Sequence, residues 1–373
     1  MKLLPSGNPV TVKLEAPKVT SLPQDRAIFL DSGTSALILA LSTAKMLAPP
    51  QKNEVVIPGY VCPTVLAACE YVNLKAIVVD TCQDFAHLGV SEAAEEVSSK
   101  TLAIISVSFL GARQDLTALR SIASSVGALI ILDAAQEKPN LDLGSADFKI
   151  LSFGRGKQLN LLGGGALIFS EECSQIYPIP CKRQSSHFFE FRALLFNRAL
   201  KSGALAKVYY LPGSPLGRTS YKGATPPCRL DSYRSSLASN MCETSLETDT
   251  LAQDFVRLRL ADKLNTRSTT NARPPEKTIL LRFPILFSSE SDREIAYTKC
   301  LRIGGVSKMY NASLRNIHGV PLKISQLPAN SNADSYAVRL LTLPLHNYAS
   351  LSDLEDILNI VSQYRITVPS ILY

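Results

Sequence analysis

The chain has 373 residues and a mass of 40.5 kDa, with 46% hydrophobic and 19% charged residues, a composition typical of a globular protein of about two domains. It excludes an intrinsically disordered protein, a collagen and a coiled coil, and no apolar run approaches the ~18 residues of a membrane span. The net charge is +7, and residues 181–234 hold ten Lys or Arg against two Asp or Glu. This local excess either attracts phosphate-bearing ligands or an anionic membrane surface, or forms a solvated basic face.

Cysteine and histidine usage argues against a metal centre. None of the eight cysteines lies in a CxxC pair and the four histidines are scattered, so we expect no structural zinc site. Unpaired thiols in this number favour a reducing cytoplasm. The first residues carry one lysine and almost no apolar core, so a secretory signal is not expected. No nucleic-acid-binding module is recognisable.

The chain between residues 28 and 170 alternates short apolar runs with helical patterns. The predicted strands are residues 54–57, 76–80, 102–107 and 129–133, and the predicted helices are residues 35–46, 63–71 and 115–125. Apolar strands separated by helices predict a mostly parallel α/β sheet with helices on both faces. Such sheets bind ligands at the carboxyl ends of their strands.

The second half of the chain predicts a smaller α+β domain. After a helix near 187–201, which still belongs to the large domain, the predicted elements of the small domain are a helix at 292–303 and strands at 279–287 and 338–343. Pro284 favours an edge or a bend in its strand, and Ser352 with Glu355 indicates the capping box of a last helix. The predicted division is an amino-terminal arm over 1–25, a large domain over 26–254 and a small domain over 255–373.

The segment Asp31-Ser32-Gly33-Thr34-Ser35 follows an apolar run and opens a predicted helix. Small and hydroxyl residues at a helix amino terminus form a phosphate cradle, because free N–H groups and the positive end of the helix dipole face the anion. The same residues also cap helices for purely structural reasons.

An aspartate closes the predicted strand at 129–133. Asp133 is followed by Ala134-Ala135-Gln136, and a carboxylate at the end of a buried parallel strand can pair with a cationic heterocycle nitrogen in the ligand crevice. It can equally serve as the N-cap of a following helix.

Lys157 ends the segment Ser152-Phe153-Gly154-Arg155-Gly156-Lys157, which precedes a run of three glycines. It is not a nucleotide P-loop, because the residues at 151 and 158 are Leu and Gln. A lysine beside a buried sheet is the setting of a Schiff-base lysine, since burial favours the neutral, nucleophilic amine. The alternative is a surface lysine in a flexible turn.

The order and spacing of these motifs resemble the DegT/DnrJ/StrS family of sugar aminotransferases. The resemblance rests on Ser32-Gly33-Thr34, on residues 57–64, on Asp133–Gln136, on Ser152–Lys157 and on the glycine-rich strand at 163–169. It extends through residues 280–284, 304–310 and 341–346. It implies a PLP-dependent transferase of fold type I, in which a parallel-sheet domain carries pyridoxal 5'-phosphate and a small domain covers it.

The resemblance also implies roles for single residues. Lys157 would hold the cofactor covalently and move protons, and Asp133 would keep the pyridine nitrogen protonated. The other residues predicted at the cofactor are Ser32, Gly33, Thr34, Cys62, Gln136, Ser152 and Arg155. The residues predicted at the substrate are Tyr60, Arg229 and Tyr310.

The chain departs from the family pattern at three places. Cys62 stands where an aromatic residue often stacks on the cofactor ring, and Tyr60 would point the other way. Gly154 replaces a common histidine. An asparagine that reaches the neighbouring subunit is missing from the stretch around Arg229.

The predicted activity is transfer of an amino group from an amino acid, glutamate first, to a keto sugar linked to a nucleotide, by a homodimer. The alternatives are a PLP transaminase acting on a non-sugar carbonyl and a paralogue that binds PLP or a partner without turnover. A dinucleotide-binding dehydrogenase fails because no GxGxxG joins the first strand to the first helix.

Overall fold

The computed structural model describes residues 2–12, 26–83, 85–179, 182–185, 187–211, 214, 217, 219–243, 251–263, 278–321, 328 and 331–369. Two sheets organise these residues. The first has seven strands: β1 (Ala27–Leu30), β2 (Glu54–Pro58), β3 (Lys75–Val79), β4 (Thr101–Val107), β5 (Leu129–Asp133), β6 (Phe148–Ser152) and β7 (Gly165–Phe169). Its order is β1-β7-β6-β5-β4-β2-β3, and only the pairs that include β7 are antiparallel.

Helices cover both faces of this sheet, as predicted. They are α1 (Gly33–Leu47), α2 (Pro63–Tyr71), α3 (Val90–Glu96), α4 (Thr117–Val126), α5 (Phe189–Lys201), α6 (Ala204–Tyr209) and α7 (Ser232–Glu243). Successive strand residues alternate between two apolar clusters: Ile131 of β5 belongs to one, and Ile130 and Leu132 to the other. Each strand is therefore buried on both sides, which explains its uninterrupted apolar sequence.

The second sheet belongs to the carboxyl-terminal part. This part of the chain contains α8 (Leu251–Lys263), β8 (Arg282–Phe287), α9 (Glu290–Cys300), α10 (Asn332–Arg339), β9 (Leu340–Pro344), α11 (Leu351–Val361) and β10 (Ile366–Thr367). The strand order is β10-β8-β9, and both pairs are antiparallel. The boundary predicted after residue 254 falls inside α8, because this helix starts at Leu251.

Two local predictions in this part need adjustment. The capping box of α11 is formed by Ser350 and Asp353, so the helix starts two residues earlier than the motif at Ser352 indicated. Pro284 lies in the middle strand of its sheet, although β10 pairs only with Leu286 and Phe287 of that strand. At Pro284 the described part of β8 has a strand neighbour on one side alone, which is why the missing N–H is tolerated.

The amino-terminal residues 2–12 join the two parts of the molecule. The N–H of Leu3 donates to the carbonyl of Ile303 at 3.0 Å, and the N–H of Gly305 donates back to the carbonyl of Leu3 at 2.9 Å. A few residues later, the Asn8 side chain donates to the carbonyl of Lys157 at 2.8 Å. This segment therefore ties the second domain to the loop after β6. Residues 13–25 of the predicted arm lie outside the described residues.

Among the described residues, every helix is too short or too polar to cross a lipid bilayer.

Candidate active site

The amino terminus of α1 forms one end of the candidate site. Ser32 has an extended backbone and caps the helix, its Oγ accepting the Ser35 N–H at 3.0 Å. Gly33 lies against the end of β6: a Cβ on it would be 3.0 Å from the Cβ of Ser152. The helix therefore opens beside the hydroxyl of Ser152, in the arrangement that binds phosphate groups.

The glycine run after the lysine loop allows this close approach. A Cβ on Gly165, the first residue of β7, would lie 2.5 Å from the amide nitrogen of Gly33, a distance that no real Cβ contact shows. Gly164 has a φ of +107° and donates its N–H to the carbonyl of Asp31 at 2.9 Å. Glycine is required here because the backbones of β7 and the α1 turn touch.

Asp133 closes β5 and points its carboxylate into the crevice at the end of the sheet. Its Oδ1 accepts the N–H of Ala135 at 3.0 Å. Burial raises the pKa of Asp133, and the positive charge of Lys157 opposes that rise. The loop that follows is fixed by Gln136, whose amide accepts the N–H of Leu110 at 2.9 Å and donates to the Tyr310 hydroxyl at 3.1 Å.

Lys157 lies in the turn between β6 and β7. Gly156, with a φ of +76°, makes the turn, and the N–H of Lys157 donates to the carbonyl of Gly154 at 3.2 Å. Burial lowers the pKa of the Lys157 amine; Cys62 and Asp133 act in the opposite direction, and Arg282 adds to the lowering. The predicted alternative, a lysine in a solvent-exposed turn, does not describe this environment.

A single cavity of about 190 Å³ connects these groups. The predicted residues that line it are Ser32, Gly33, Thr34, Cys62, Asp133, Gln136, Ser152, Lys157 and Tyr310. The structure thus brings together a helix amino terminus, hydroxyl groups, a buried carboxylate and an amine of lowered pKa. Such a set can bind a phosphate and an aldehyde-bearing heterocycle. Within the described residues, no cluster of three His, Cys, Asp or Glu side chains could hold a metal.

Three predicted residues lie elsewhere. Tyr60 is fully buried, donates its hydroxyl to the Tyr310 carbonyl at 2.9 Å and packs on Tyr336, so the placement of Tyr60 at the substrate needs correction. Arg155 is exposed and lines a neighbouring cavity, not the one that contains Lys157. Arg229 lines a separate groove beside β1 and α7.

The site also includes a residue that sequence reasoning assigned no role. Arg282, the first residue of β8, lines the neighbouring cavity, and its charge acts on Lys157. In the sequence, the feature that points to Arg282 is its position as the lone charged residue within the apolar run Leu280–Phe287. A strand that is otherwise wholly apolar rarely carries a guanidinium without a function.

An ionic cluster supports the loop behind Asp133. Glu137 accepts two hydrogen bonds from Arg113, at 3.0 and 2.9 Å, and lies 3.1 Å from the ammonium of Lys149, a β6 residue with no exposed surface. Burial alone would raise the pKa of Glu137, but Arg113 and Lys149 outweigh it and the pKa is lowered. The loop is therefore fixed by charged hydrogen bonds as well as by Gln136.

Comparison with known proteins gives a family match over the first part of the chain and a fold for most of it. Residues 8–178 match the DegT/DnrJ/EryC1/StrS aminotransferase family, which confirms the resemblance found in the motifs. A UDP-N-acetyl-3-dehydro-alpha-D-glucosamine 3-aminotransferase of Acidithiobacillus ferrooxidans is 27% identical over 146 residues. That stretch is 38% of this chain and spans about two fifths of the relative, 39% of its length.

Solved structures extend the likeness over most of the chain. NtdA from Bacillus subtilis, crystallised with the cofactor PMP, superposes on this chain with a TM-score of 0.66 at 21% sequence identity. The superposition covers 90% of this chain and 73% of the NtdA chain. PseC from Helicobacter pylori, an aminotransferase involved in the biosynthesis of pseudoaminic acid, has a TM-score of 0.65 at 15% identity, with 90% and 86% coverage. The predicted fold class, that of the fold-type I aminotransferases, is confirmed.

Proposed function

We propose that this chain is a pyridoxal-phosphate-dependent aminotransferase that moves an amino group from an amino acid, glutamate first, to a keto sugar. The observation that carries the proposal is that Lys157, Asp133 and the amino terminus of α1 line one cavity. When bound, the cofactor supplies an aldehyde that accepts the amino group and a ring that withdraws electron density.

The residues in the cavity fit this cofactor. Ser32, Gly33 and Thr34 at the start of α1, with the hydroxyl of Ser152, would bind its phosphate. The Asp133 carboxylate would hold a proton on the ring nitrogen. The Lys157 amine would attach the cofactor and then move a proton at the substrate carbon, work that a lowered pKa favours because the neutral amine is the active form.

Cys62 also lines this cavity. It is the N-cap of α2, its Sγ lies 3.1 Å from the Thr64 hydroxyl, and both side chains line the cavity. At the position where the family resemblance implies an aromatic residue, this chain therefore offers a small thiol to the cofactor that the cavity would hold.

The acceptor is proposed to be a keto sugar joined to a nucleotide diphosphate. Support comes from the relative named for a UDP-linked 3-keto sugar and from the second cavity, of about 340 Å³, which Arg155 and Arg282 line. The reaction would serve polysaccharide, cell-envelope or secondary-metabolite biosynthesis. A cytoplasmic location agrees with the six cysteines whose side chains the structure describes, none of which forms a disulfide.

The decisive experiment locates the cofactor. Purified protein is incubated with pyridoxal phosphate, reduced with borohydride and digested, and mass spectrometry identifies the modified lysine. We expect the cofactor mass on Lys157 and its loss in Lys157→Ala, whereas Lys100→Ala, at an exposed position, keeps it. Label on other lysines alone, or none, would overturn the proposal.

The second step tests turnover. Addition of glutamate to the loaded protein should convert the cofactor spectrum to that of the amino form, and candidate nucleotide-linked keto sugars should convert it back. If only non-sugar carbonyls restore the original spectrum, the protein is a transaminase that acts on a non-sugar carbonyl. A spectrum that no amino donor changes would establish a binding protein without turnover.

We also propose that the active form is a homodimer. Exposed apolar side chains lie at the N-cap of α5 and on the helix itself: Phe188 is 77% exposed, Leu194 64% and Leu195 50%. The opposite face, with Phe189 and Ala193, is buried in the large domain. Exposed apolar stripes of this kind mark contact surfaces, and a second copy of this chain would cover it.

Sedimentation velocity tests the dimer. The double variant Leu194→Glu, Leu195→Glu should shift the protein to monomer, whereas Leu258→Glu, equally apolar and exposed on α8, should leave its mass unchanged. A wild-type monomer at high concentration would contradict the proposal.

A further inference from the structure

Tyr310 lies where two cavities of the molecule meet. It lines the cavity that contains Lys157, and it also lines the second cavity, whose charged side chains are Arg155 and Arg282. No other residue of the described part of the chain lines both cavities. A substrate that passes from the second cavity to the reactive amine therefore moves past the Tyr310 side chain.

The Tyr310 hydroxyl accepts a hydrogen bond whose direction the structure fixes. The carbonyl oxygen of the Gln136 side chain accepts the backbone N–H of Leu110 at 2.9 Å, and a backbone N–H can only donate. The amino group of Gln136 therefore faces the other way and donates to the Tyr310 hydroxyl at 3.1 Å. The phenolic proton takes no part in this bond and has no acceptor among the described residues. Since polar groups away from bulk water normally have a partner, this proton is directed at a group that the chain does not provide.

The neighbours of Tyr310 hold its ring in place. Tyr60 donates its hydroxyl to the Tyr310 carbonyl at 2.9 Å, and the rings of Tyr60 and Phe109 pack against the phenol with centroid distances of 5.4 and 6.4 Å. The preceding residue, Met309, has a φ of +54°, in the left-handed region that residues other than glycine seldom adopt. Backbone strain of this kind is retained where it positions a functional group.

The surroundings also keep the phenol protonated. Burial raises the pKa of Tyr310 well above its ordinary value of 10.0, and the nearby Cys62 and Asp133 act in the same direction, whereas Arg282 opposes the rise. At neutral pH the hydroxyl is therefore a proton donor and not a phenolate base.

The reaction of an amine with a carbonyl compound needs such a donor. The carbon–nitrogen bond forms, the carbon–oxygen bond breaks, and the oxygen leaves as water. The oxygen gains two protons and the nitrogen loses two, so the exchange requires no oxidant or reductant. Lys157 is assigned to the proton at the substrate carbon, and Ser32, Thr34 and Ser152 to the cofactor phosphate. Tyr310 lies on the side of the second cavity, from which the carbonyl substrate would enter.

We propose that Tyr310 is a catalytic acid, whose hydroxyl donates a hydrogen bond to the oxygen of the carbonyl substrate and gives it a proton as the carbon–oxygen bond breaks. The phenolate then recovers a proton from the nitrogen, so Tyr310 is unchanged after the exchange. This inference rests on the proposed aminotransferase function. It applies to the keto sugar and, in the reverse direction of the other half-reaction, to the keto acid that the amino donor leaves behind.

The first test measures the reaction of a carbonyl substrate. Protein loaded with pyridoxamine 5'-phosphate is mixed with 2-oxoglutarate, the keto acid of glutamate, or with pyruvate, and stopped-flow absorbance follows the cofactor spectrum. Tyr310→Phe keeps the ring and removes the hydroxyl, so the rate at saturating keto acid should fall about 100-fold or more, the usual contribution of a general acid. Tyr71→Phe, which removes the hydroxyl of a 40% exposed tyrosine on α2, should react like the wild type. A wild-type rate in Tyr310→Phe would overturn the proposal.

The second test requires no turnover. Protein is loaded with pyridoxine 5'-phosphate, which has a hydroxyl in place of the aldehyde and cannot react, and 2-oxoglutarate labelled with carbon-13 at its keto carbon is added. Infrared difference spectroscopy gives the stretching frequency of the bound keto group, which falls when its oxygen accepts a hydrogen bond. We expect a higher frequency in Tyr310→Phe than in the wild type and in Tyr71→Phe. One frequency shared by all three proteins would contradict the assignment.

The spectrum of the cofactor on Lys157 separates this role from a contact with the cofactor ring. Its pH dependence should be the same in Tyr310→Phe and in the wild type. A shifted pH dependence, or loss of the cofactor label from Lys157, would assign the hydroxyl to the cofactor and overturn the proposal.

The inference and the proposed function fail differently. If Tyr310→Phe carries the label on Lys157 and reacts as fast as the wild type, the assignment of Tyr310 is wrong and the aminotransferase function stands. If the wild-type protein takes no label on Lys157, or reacts with neither keto acid, the function itself fails.

Discussion

At the scale of single residues, the pKa of Lys157 sets a pH dependence. Burial lowers this pKa below the ordinary lysine value of 10.5, so the neutral amine becomes available at lower pH than on an exposed lysine. The rate at which cofactor-free protein captures added pyridoxal phosphate should therefore rise with pH and reach its plateau below pH 10.5.

Stopped-flow absorbance measures this profile. Arg282→Met should move the profile to higher pH, because the removed positive charge contributes to the lowering. A wild-type profile still rising at pH 10.5 would contradict the burial of the amine.

Asp133 offers a second test at this scale. Asp133→Asn keeps the shape of the side chain but removes the charge that would stabilise a protonated ring nitrogen. We expect cofactor to label Lys157 as in the wild type and the half-reaction with glutamate to slow by about 100-fold or more, the usual cost of a lost electrostatic partner. Single-turnover absorbance checks it, and an unchanged rate would remove Asp133 from the proposed chemistry.

Two residues of the candidate cavity could be predicted from the strand pattern alone, whereas Lys157, Cys62 and Tyr310 were placed there by the family resemblance. Asp133 ends β5, Ser152 ends β6, and parallel strands bring such ends to one edge. Arg282 could not be predicted, because it starts a strand of another sheet, and its position beside Lys157 depends on how the two domains pack. Tyr60 was misplaced for a related reason: its aromatic neighbours, Tyr310 and Tyr336, come from the small domain.

At the scale of elements, the contact between β7 and the start of α1 leaves no room for a side chain at Gly165. Gly165→Ala places a Cβ 2.5 Å from the Gly33 nitrogen, so either the strand or the helix must move. We expect the free energy of unfolding to fall by about 2 kcal/mol, as for overpacked cores, and cofactor affinity to fall at least about tenfold.

Urea unfolding and a cofactor titration measure the two effects. Gly223→Ala is the matched control, since a Cβ there meets nothing within 4 Å. Normal cofactor binding by Gly165→Ala would show that this contact does not shape the phosphate end of the cavity.

The ionic cluster behind β5 and β6 predicts a pH-dependent stability. Glu137→Gln leaves the Lys149 ammonium buried without its carboxylate and should cost about 3 kcal/mol. The lowered pKa of Glu137 means that its contribution is present above pH 4.5 and is lost as pH falls through the folded-state pKa below 4.5.

Urea unfolding at several pH values separates the variant from the wild type. The difference between them should be largest near neutral pH and should shrink below pH 4.5. A difference that stays constant through this range would rule out the ionised Glu137 as its cause.

The bounds of strands that are covered on both faces could be predicted closely. The ends of helices, where the packing becomes irregular, were predicted less accurately. β2 and β5 match their apolar runs because both faces are covered along their whole length. The helix predicted over 292–303 extends three residues beyond the last residue of α9, Cys300, because an irregular turn follows that residue. The start of α11 was missed by two residues because Ser350 and Ser352 offer equivalent capping side chains, and only the Asp353 hydrogen bonds distinguish them.

At the scale of the whole molecule, the amino-terminal segment holds the lysine loop in place. Asn8→Ala removes the hydrogen bond to the Lys157 carbonyl, so we expect a loss of about 1 kcal/mol in the free energy of unfolding. We also expect faster hydrogen–deuterium exchange in the peptide that spans residues 153–160, whereas Gln51→Ala, at an exposed position, should change neither. Unaltered exchange in Asn8→Ala would show that the loop is rigid by itself.

The same segment can dock only after a distant part of the chain has been synthesised. The carbonyl of Leu4 is hydrogen-bonded at 2.8 Å to the imidazole of His346, which lies 342 residues further along the chain. The segment that contains Leu4 must therefore wait until the chain around His346 has been synthesised before it can dock. Lys157 and Asp133 are synthesised in between, so a nascent chain can form the cavity that they line before the segment that contains Leu4 is able to complete the neighbouring one.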